Sequence, residues 1–451
     1  MAIIPQVSMI FKGLEEKDDL HRLKLVLDSL DDEPLMQYME KRRGRGRNEY
    51  PVRVLWNCLL AMIVFGRHII CDFIREMNRN YNLRKVVGLD MNKELTAVPR
   101  PYVFSRFFKL LRTTEAEHII KEMFDGLVAE LGGLLPEFGK VLAVDSKAIP
   151  SFANWKSKCR KADGRSEKDA DVGIKTYYKD LKNGKQEKVQ KKWFGFKVHF
   201  AADAKYELPV IYEVTKASVH DSPVLKKLME GMKERHPELL KRCEHLTADR
   251  GYDSKENNAN LFDDYGIIPV IDIRDMWKDG EETKLLDPTK VGNIVYDYRG
   301  DVFCICPVTG EKRPMVYWGY EDDRQALKYR CLAGASGVTC KGKKQCCGNK
   351  KYGKTVRIPL GLDRRLFVPL PRSTHKWQRL YNKRTSIERV NSRLDVSFGF
   401  ENHTIRGKKK MALSVGISFI VMLAMAVGHI NAKEKHLIRS LVGSVRAPDG
   451  Q

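Results

Sequence analysis

Apolar residues recur at helical spacing through the first third of the chain and at strand-like spacing through the next. In PVRVLWNCLLAMIVFGRHIICDFIREM, and again in VPRPYVFSRFFKLLRTTEAEHIIKEMFDGLVAELGGL, they follow a helical period, and a GG pair then punctuates the run. Residues 1–138 are therefore expected to form an all-α N-terminal domain. From residue 140 the texture changes. KVLAVDS, WFGFKVHFAADA, LPVIYEVTKAS, HLTADRGYDS and IIPVIDIR read as five short strands, with SPVLKKLMEGMKER and KENNANLFDDYG as helices among them. The order β-β-β-α-β-α-β predicts an α/β fold on a five-stranded sheet.

Two stretches interrupt this pattern. Residues 152–192 are rich in Lys and Gly and poor in aliphatics, which suits a connection that is mobile or ordered by a polyanion. Residues 276–365 break the pattern again and hold a cysteine cluster. The α/β texture then resumes with WQRLYNKRTSIERVNSRLD and the apolar segment MALSVGISFIVMLAMAVGHI. The expected organisation is a helical domain over 1–138, a core in two parts over 139–275 and 366–435, a Cys-rich insertion over 276–365, and a tail over 436–451. No internal repeat is visible.

The apolar segment, residues 411–430, has no Asp, Glu, Lys or Arg and is long enough to span a bilayer, and Lys408, Lys409 and Lys410 precede it. Against this, Ser414, Gly416, Ser418 and Gly428 dilute it, and a large α/β domain needs a helix buried nearly all round. It is read as a core helix, with no membrane as partner.

Charge narrows the function. Lys and Arg number 81 against 58 Asp and Glu, a formal net charge of +23. That balance suits an extended polyanion, with nucleic acid the first candidate and an anionic membrane surface the second. The basic run KRRGRGR, with Arg42 and Arg43, reads either as a phosphate contact or as a solvated loop. The N-terminus has no basic region ahead of its apolar residues, so a reducing cytoplasm is expected. There, the six cysteines Cys304, Cys306, Cys331, Cys340, Cys346 and Cys347 favour metal over disulfides, and structural Zn²⁺ is the candidate.

Candidate chemistry sits at strand ends. KVLAVDS and HLTADRGYDS place Asp145 and Asp249 at the tips of buried strands. On a helix, Leu380, Ile387, Val390 and Leu394 form an apolar stripe, with Tyr381, Arg384, Glu388 and Asp395 on the adjoining face. Each carboxylate has a plain alternative: a turn cap for Asp145, a strand exit for Asp249, an ion pair with Arg384 or Arg389 for Glu388. Together they would repel unless a cation lay among them, and hard oxygen ligands suit Mg²⁺ or Mn²⁺ in two-ion phosphodiester displacement. His220 and Asp221, just after the third strand, read either as neighbours of the metal site or as a cap on the following helix, with capping favoured for Asp221 and His220 open. Lys197 and His199 share one sheet face, for burial or for DNA.

These motifs carry a resemblance. VLAVDSKAI and LTADRGYDS resemble the first and second Asp strands of the DDE-type bacterial insertion-sequence transposases, and WFGFKVHF and SVHDSPVL resemble strand segments of one branch. YNKRTSIERVNSRLD is similar to that branch's helical motif Tyr-x2-Arg-x3-Glu-x6-Lys, with Tyr381, Arg384 and Glu388 in place and Asp395 where Lys is usual. The stretch from PVRVLWNC to VVGL resembles its helical N-terminal region, which implies that the domain over 1–138 binds DNA at transposon ends.

The resemblance implies an RNase-H-like catalytic domain with a mixed sheet and flanking helices. It implies two Mg²⁺ or Mn²⁺ ions held by Asp145, Asp249 and Glu388, and a DNA backbone positioned by Tyr381 and Arg384. The missing Lys function passes to Arg393 or Arg389, or is lost. The implied reaction cuts double-stranded DNA at element ends and joins the freed 3′-hydroxyl to target DNA, in a homodimer on DNA at the bacterial nucleoid. Cys-bearing inserts also occur in this branch. Two rivals share these residues: a DNA-binding derivative that no longer cuts, and a stand-alone metal-dependent nuclease.

Overall fold

The computed structural model describes residues 19–43, 49–89, 98–153, 167–180, 186–289, 292–348 and 350–439. The N-terminal segment, the GRGR half of the basic run, much of the Lys-rich connection and the end of the tail lie outside the described residues. The chain divides into two compact units. The first combines Met1–Phe138, Ser146–Val219 and Ile387–Gln451; the second combines Gly139–Asp145 and His220–Ser386.

In the first unit the described N-terminal residues form helices α1 (Asp19–Asp28), α2 (Glu33–Arg43), α3 (Val52–Val64), α4 (Ile70–Arg79), α5 (Tyr81–Val87), α6 (Pro101–Leu110) and α7 (Thr114–Leu134). Helix α3 is buried along most of its length. Its Trp56 Nε1 donates to Asp32 Oδ2 at 2.7 Å and Arg53 also pairs with Asp32, which offsets the burial of that carboxylate. Asn80 caps α5 by accepting from the Leu83 N–H at 2.9 Å, and Gly88, at φ 86°, ends it in the left-handed conformation.

The helix Lys408–Asn431 forms the centre of this unit. It is long and apolar enough to cross a membrane, yet it is mostly buried inside the protein, packed against α1, α3, α7 and strand Pro209–Lys216. Phe419 meets Tyr212 and Phe200 with ring centroids 5.4 Å apart in each pair, and Tyr212 in turn meets Phe124 of α7 at 5.1 Å. Two glycines allow the close approach. A Cβ at Gly416 would stand 2.3 Å from the Tyr212 hydroxyl, and one at Gly428 would stand 2.7 Å from Leu25 Cβ. This is the core helix that the sequence suggested.

Strand β1 (Val141–Pro150) is shared, its first half falling in the second unit and its second half in the first. The first unit adds β2 (Asp171–Asp180), β3 (Gln186–Asp203) and β4 (Pro209–Lys216), with β2 and β4 antiparallel to β3. Here the structure departs from the expected five strands. The Lys-rich connection supplies β2 and extends β3 well ahead of WFGFKVHF, in register from Asp171↔Gly195 to Asp180↔Gln186. One local reason is visible: the Trp193 ring covers Gly173 on the facing strand, where a Cβ would stand 2.3 Å from it.

In the second unit β1 runs parallel to β5 (His245–Ala248), and β5 parallel to β6 (Ile268–Ile271). All four β5 residues are buried, as parallel strands covered on both faces require. Helix α8 (Asp221–Arg235) precedes β5. The insertion forms a separate antiparallel sheet of six short strands: β7 (Lys284–Leu285), β8 (Ile294–Tyr296), β9 (Val302–Ile305), β10 (Lys312–Glu321), β11 (Ala326–Cys331) and β12 (Thr355–Pro359). Its core includes Ile294, Val302, Leu327, Tyr329, Ile358 and Phe367. The sequence pattern broke off over this insertion. The apolar residues of its core are spread over strands most of which are too short to show a period.

Candidate active site

The apolar strands β1 and β5 fix two carboxylates. Val144 pairs with Ala248, the last pair of the β1–β5 ladder, and Asp145 and Asp249 follow one step beyond it, both half-buried. Asp249 stands just past the end of β5, whereas Asp145, expected at a strand end, lies inside β1, which runs on to Pro150. The chain then turns sharply. The Gly251 N–H donates to Asp249 Oδ1 at 2.7 Å, and the Tyr252 N–H donates to the Asp249 carbonyl at 3.1 Å. A Cβ on Gly251 would meet Asp249 Oδ1 at 2.7 Å and Asp221 Oδ2 at 3.6 Å. The Asp221 carboxylate therefore lies beside that of Asp249.

Asp221 was expected to cap α8. It is instead the first residue inside the helix, and His220 stands at the cap position without a side-chain capping bond. Its place beside Asp249 is the alternative that the sequence reading set below capping. The signal for it was SVHDSPVL, a carboxylate directly after a strand.

Asp253, in the same turn, is structural. Its side chain is 1% exposed and accepts from Arg365 Nε at 2.7 Å. Burial pushes its carboxyl above the usual range, and Arg365 opposes that shift. Tyr252 is buried and its carbonyl accepts from Asn257 Nδ2 at 2.8 Å. The turn behind Asp249 is thus held on both sides.

Tyr381 stacks on the buried Trp377, with centroids 4.7 Å apart and planes 11° apart, and the Arg384 guanidinium lies 5.9 Å from its ring centroid. Burial raises the Tyr381 phenol above its ordinary value; the charges of Asp272 and Asp249 raise it further, and Arg384 opposes them. Tyr381 and Arg384 therefore belong with Asp249.

The single helix expected through this motif is broken. Helix His375–Asn382 ends, the Arg384 N–H donates to the Tyr381 carbonyl at 2.9 Å, and a second helix runs Thr385–Ser392 before a π-type turn over Arg393–Ser397. Tyr381 therefore belongs to the first helix and Glu388 to the second, where the sequence reading placed both on one. Glu388 is exposed on the second helix, whose Ile387 and Val390 are buried in the first unit.

In the first unit the expected DNA contacts divide. Arg393 is buried and pairs with Glu207 at 2.6 Å, which corrects its assignment as a phosphate contact. Arg389 pairs with the other Glu207 oxygen at 2.6 Å while remaining largely exposed. Lys197 Nζ donates to the Val219 carbonyl at 3.0 Å, and His199 is buried 2.9 Å from the Thr215 hydroxyl. Arg42 and Arg43 end α2 and line a cavity of about 370 Å³ with Tyr50, Tyr102 and Arg106. Asp395, at the usual Lys position, forms an ion pair with Lys147 of β1, a residue sequence reasoning passed over. Both line a cavity of about 550 Å³ with Lys175, Lys191, Trp193 and Phe152.

Among the described residues no group of three or more His, Cys, Asp or Glu side chains is placed to enclose a metal ion. The donors at the strand ends are carboxylate oxygens, which fit a hard cation and not a soft one.

Residues 136–424 match the family model described as the transposase DDE domain. The chain belongs to the DDE-type insertion-sequence transposases. The matched span contains Asp145, Asp249, the helical motif and the insertion. No curated protein and no solved structure matches the chain.

Proposed function

We propose that this transposase cuts double-stranded DNA at the ends of its insertion sequence and joins the freed 3′-hydroxyl to target DNA. The observation that carries the reading is the register of β1 and β5, which brings Asp145 and Asp249 side by side directly after the buried, paired stretch of the two strands, within a transposase domain. Asp145, Asp249 and Glu388 are the residues that would hold two Mg²⁺ or Mn²⁺ ions. When bound, such ions activate an attacking oxygen and stabilise a leaving one. A mixed sheet of antiparallel β2–β4 and parallel β1, β5 and β6 supports the RNase-H-like reading.

The protein's own groups do the positioning. The Gly251 N–H holds one Asp249 oxygen, so the carboxylate presents a fixed orientation. Tyr381, stiffened by Trp377, and Arg384 would bind the DNA backbone near the scissile phosphate. Lys147 supplies the cation that the helical motif lacks, from β1 instead of from the helix, with Asp395 as its counter-ion. Arg42, Arg43, Arg389 and Lys197 add basic surface for the duplex, as the net charge of +23 supports. Bringing two element ends together calls for a homodimer on DNA, working at the bacterial nucleoid in the cytoplasm.

The test is Mg²⁺-dependent cleavage of a duplex carrying the element's own ends, comparing the intact protein with Asp249→Asn. The variant should bind equally and cut on the order of 10³-fold more slowly, the scale for losing one preorganised electrostatic contact. Binding without cutting by the intact protein, under any divalent metal, would replace this reading with a non-cutting DNA-binding protein. Cutting without joining of a supplied 3′-end would make it a nuclease.

A further inference from the structure

Six cysteines from separate parts of the insertion line one small cavity of about 30 Å³. They come from β9 (Cys304), the turn after it (Cys306), the end of β11 (Cys331), the following loop (Cys340), and the short helix Lys343–Cys347 (Cys346 and Cys347). None of the six is in a disulfide. Cys304 lies within electrostatic range of Cys331, Cys340 and Cys346. All four of these thiols are half-buried.

The surroundings are those of a thiolate cluster. The Lys354 N–H donates to Cys331 Sγ at 3.3 Å, and Asn293 Nδ2 donates to Cys346 Sγ at 3.2 Å, the kind of outer hydrogen bond that orients metal-bound sulfur. Gly353 makes room at Cys331, where a Cβ would stand 2.4 Å from the sulfur. Arg313, Lys343 and Lys354 share the cavity wall and would offset the net negative charge of a four-thiolate zinc centre. The other two sulfurs are less able to turn inward. Cys306 is buried and fixed by the Thr309 hydroxyl and the N–H groups of Thr309, Val308 and Gly342, and Cys347 Sγ donates to the Lys343 carbonyl of its own helix at 3.1 Å.

We propose that the insertion is a zinc module in which Cys304, Cys331, Cys340 and Cys346 bind one Zn²⁺ and fix the loop 332–354 to the sheet. The thiols line the wall without meeting at one point, so closing them onto a tetrahedral centre takes side-chain rotation, for which their half-buried positions leave room. Each ligand gives up its proton as the metal binds, and a closed four-sulfur shell leaves no position for water, which makes the site structural. Soft sulfur ligands select zinc over the hard cations suited to Asp145 and Asp249.

The experiment uses the full-length protein purified without chelator. Bound zinc is measured by elemental analysis, and Zn²⁺ is exchanged for Co²⁺ to read the charge-transfer and ligand-field bands of tetrahedral thiolate. About one zinc per chain is expected, with a tetrahedral cobalt spectrum. Cys331→Ser and Cys346→Ser should lose most of the metal, while Cys347→Ser keeps it. Absence of zinc with all six thiols free, disulfides among them, or zinc retained in both Cys331→Ser and Cys346→Ser would overturn the proposal. The cobalt spectrum of the unmutated protein decides the case even if a variant fails to fold. None of these readouts uses DNA, so the result stands apart from the cleavage test.

Discussion

Gly251 has no room for a side chain because the Asp249 carboxylate occupies the space. Gly251→Ala would push Oδ1 out of line while leaving the ligand's charge in place. Cleavage should fall by about 10²-fold, the scale for a 1 Å misplacement in an active site, with DNA binding retained; equal cleavage by the variant would show that this orientation does not matter. The Lys147–Asp395 pair makes a different prediction. Both side chains are largely buried, 14% and 24% exposed. Asp395→Lys restores the family's usual residue but sets two cations together, and should destabilise the fold by about 3 kcal/mol in denaturant titration. Adding Lys147→Asp should recover most of that loss. If the single variant is as stable as the parent, the pair carries no weight.

Among the elements, the Lys408–Asn431 helix is the clearest case of packing set by small residues. Gly416→Ala should cost about 1–3 kcal/mol, read as a lower denaturation midpoint, because the new methyl meets the Tyr212 hydroxyl. Insertion of this helix into a membrane would predict no such loss. The helix was legible in the sequence because its apolar run is long and its glycines argued for burial. That Asp145 and Asp249 each follow a short buried apolar run was legible too, although β1 runs on past Asp145 to Pro150 where the sequence had suggested its end. The break between Tyr381 and Glu388 was not. It falls at Lys383–Arg384, with no Gly or Pro to mark it, and is set by the backbone bonds from Arg384 to Tyr381 and from Ser386 to Lys383. The β2–β3 ribbon escaped notice for a related reason: its lysines masked a pattern completed only by pairing across the ribbon. Asp221 was read as a cap because sequence cannot show which carboxylate leans over a neighbouring turn.

At the scale of the whole molecule, charge and buried histidines set the response to solution conditions. His68, its ring edge-on to Phe400 at 5.3 Å, is held by burial and by nearby His403 at about 4, below its ordinary 6.5. His403, His429 and His245 are also lowered by burial. The unfolded chain therefore takes up protons first as acid is added. Stability from these groups is complete above about pH 6.5 and is lost progressively towards pH 4. Denaturant midpoints should fall between about pH 7.5 and about pH 5, and His68→Asn should flatten part of that slope; a steeper slope would refute the assignment. The first unit also draws its core from segments far apart in sequence, since the Lys408–Asn431 helix packs against α1, α3 and α7. A ribosome must thus have passed residue 431 before those earlier helices can cover their apolar faces. A gene copy with a stop codon ahead of residue 408 should yield insoluble, degraded protein. Decaying copies of such an element would then fall silent outright, leaving no DNA-binding fragments to occupy the ends of intact ones.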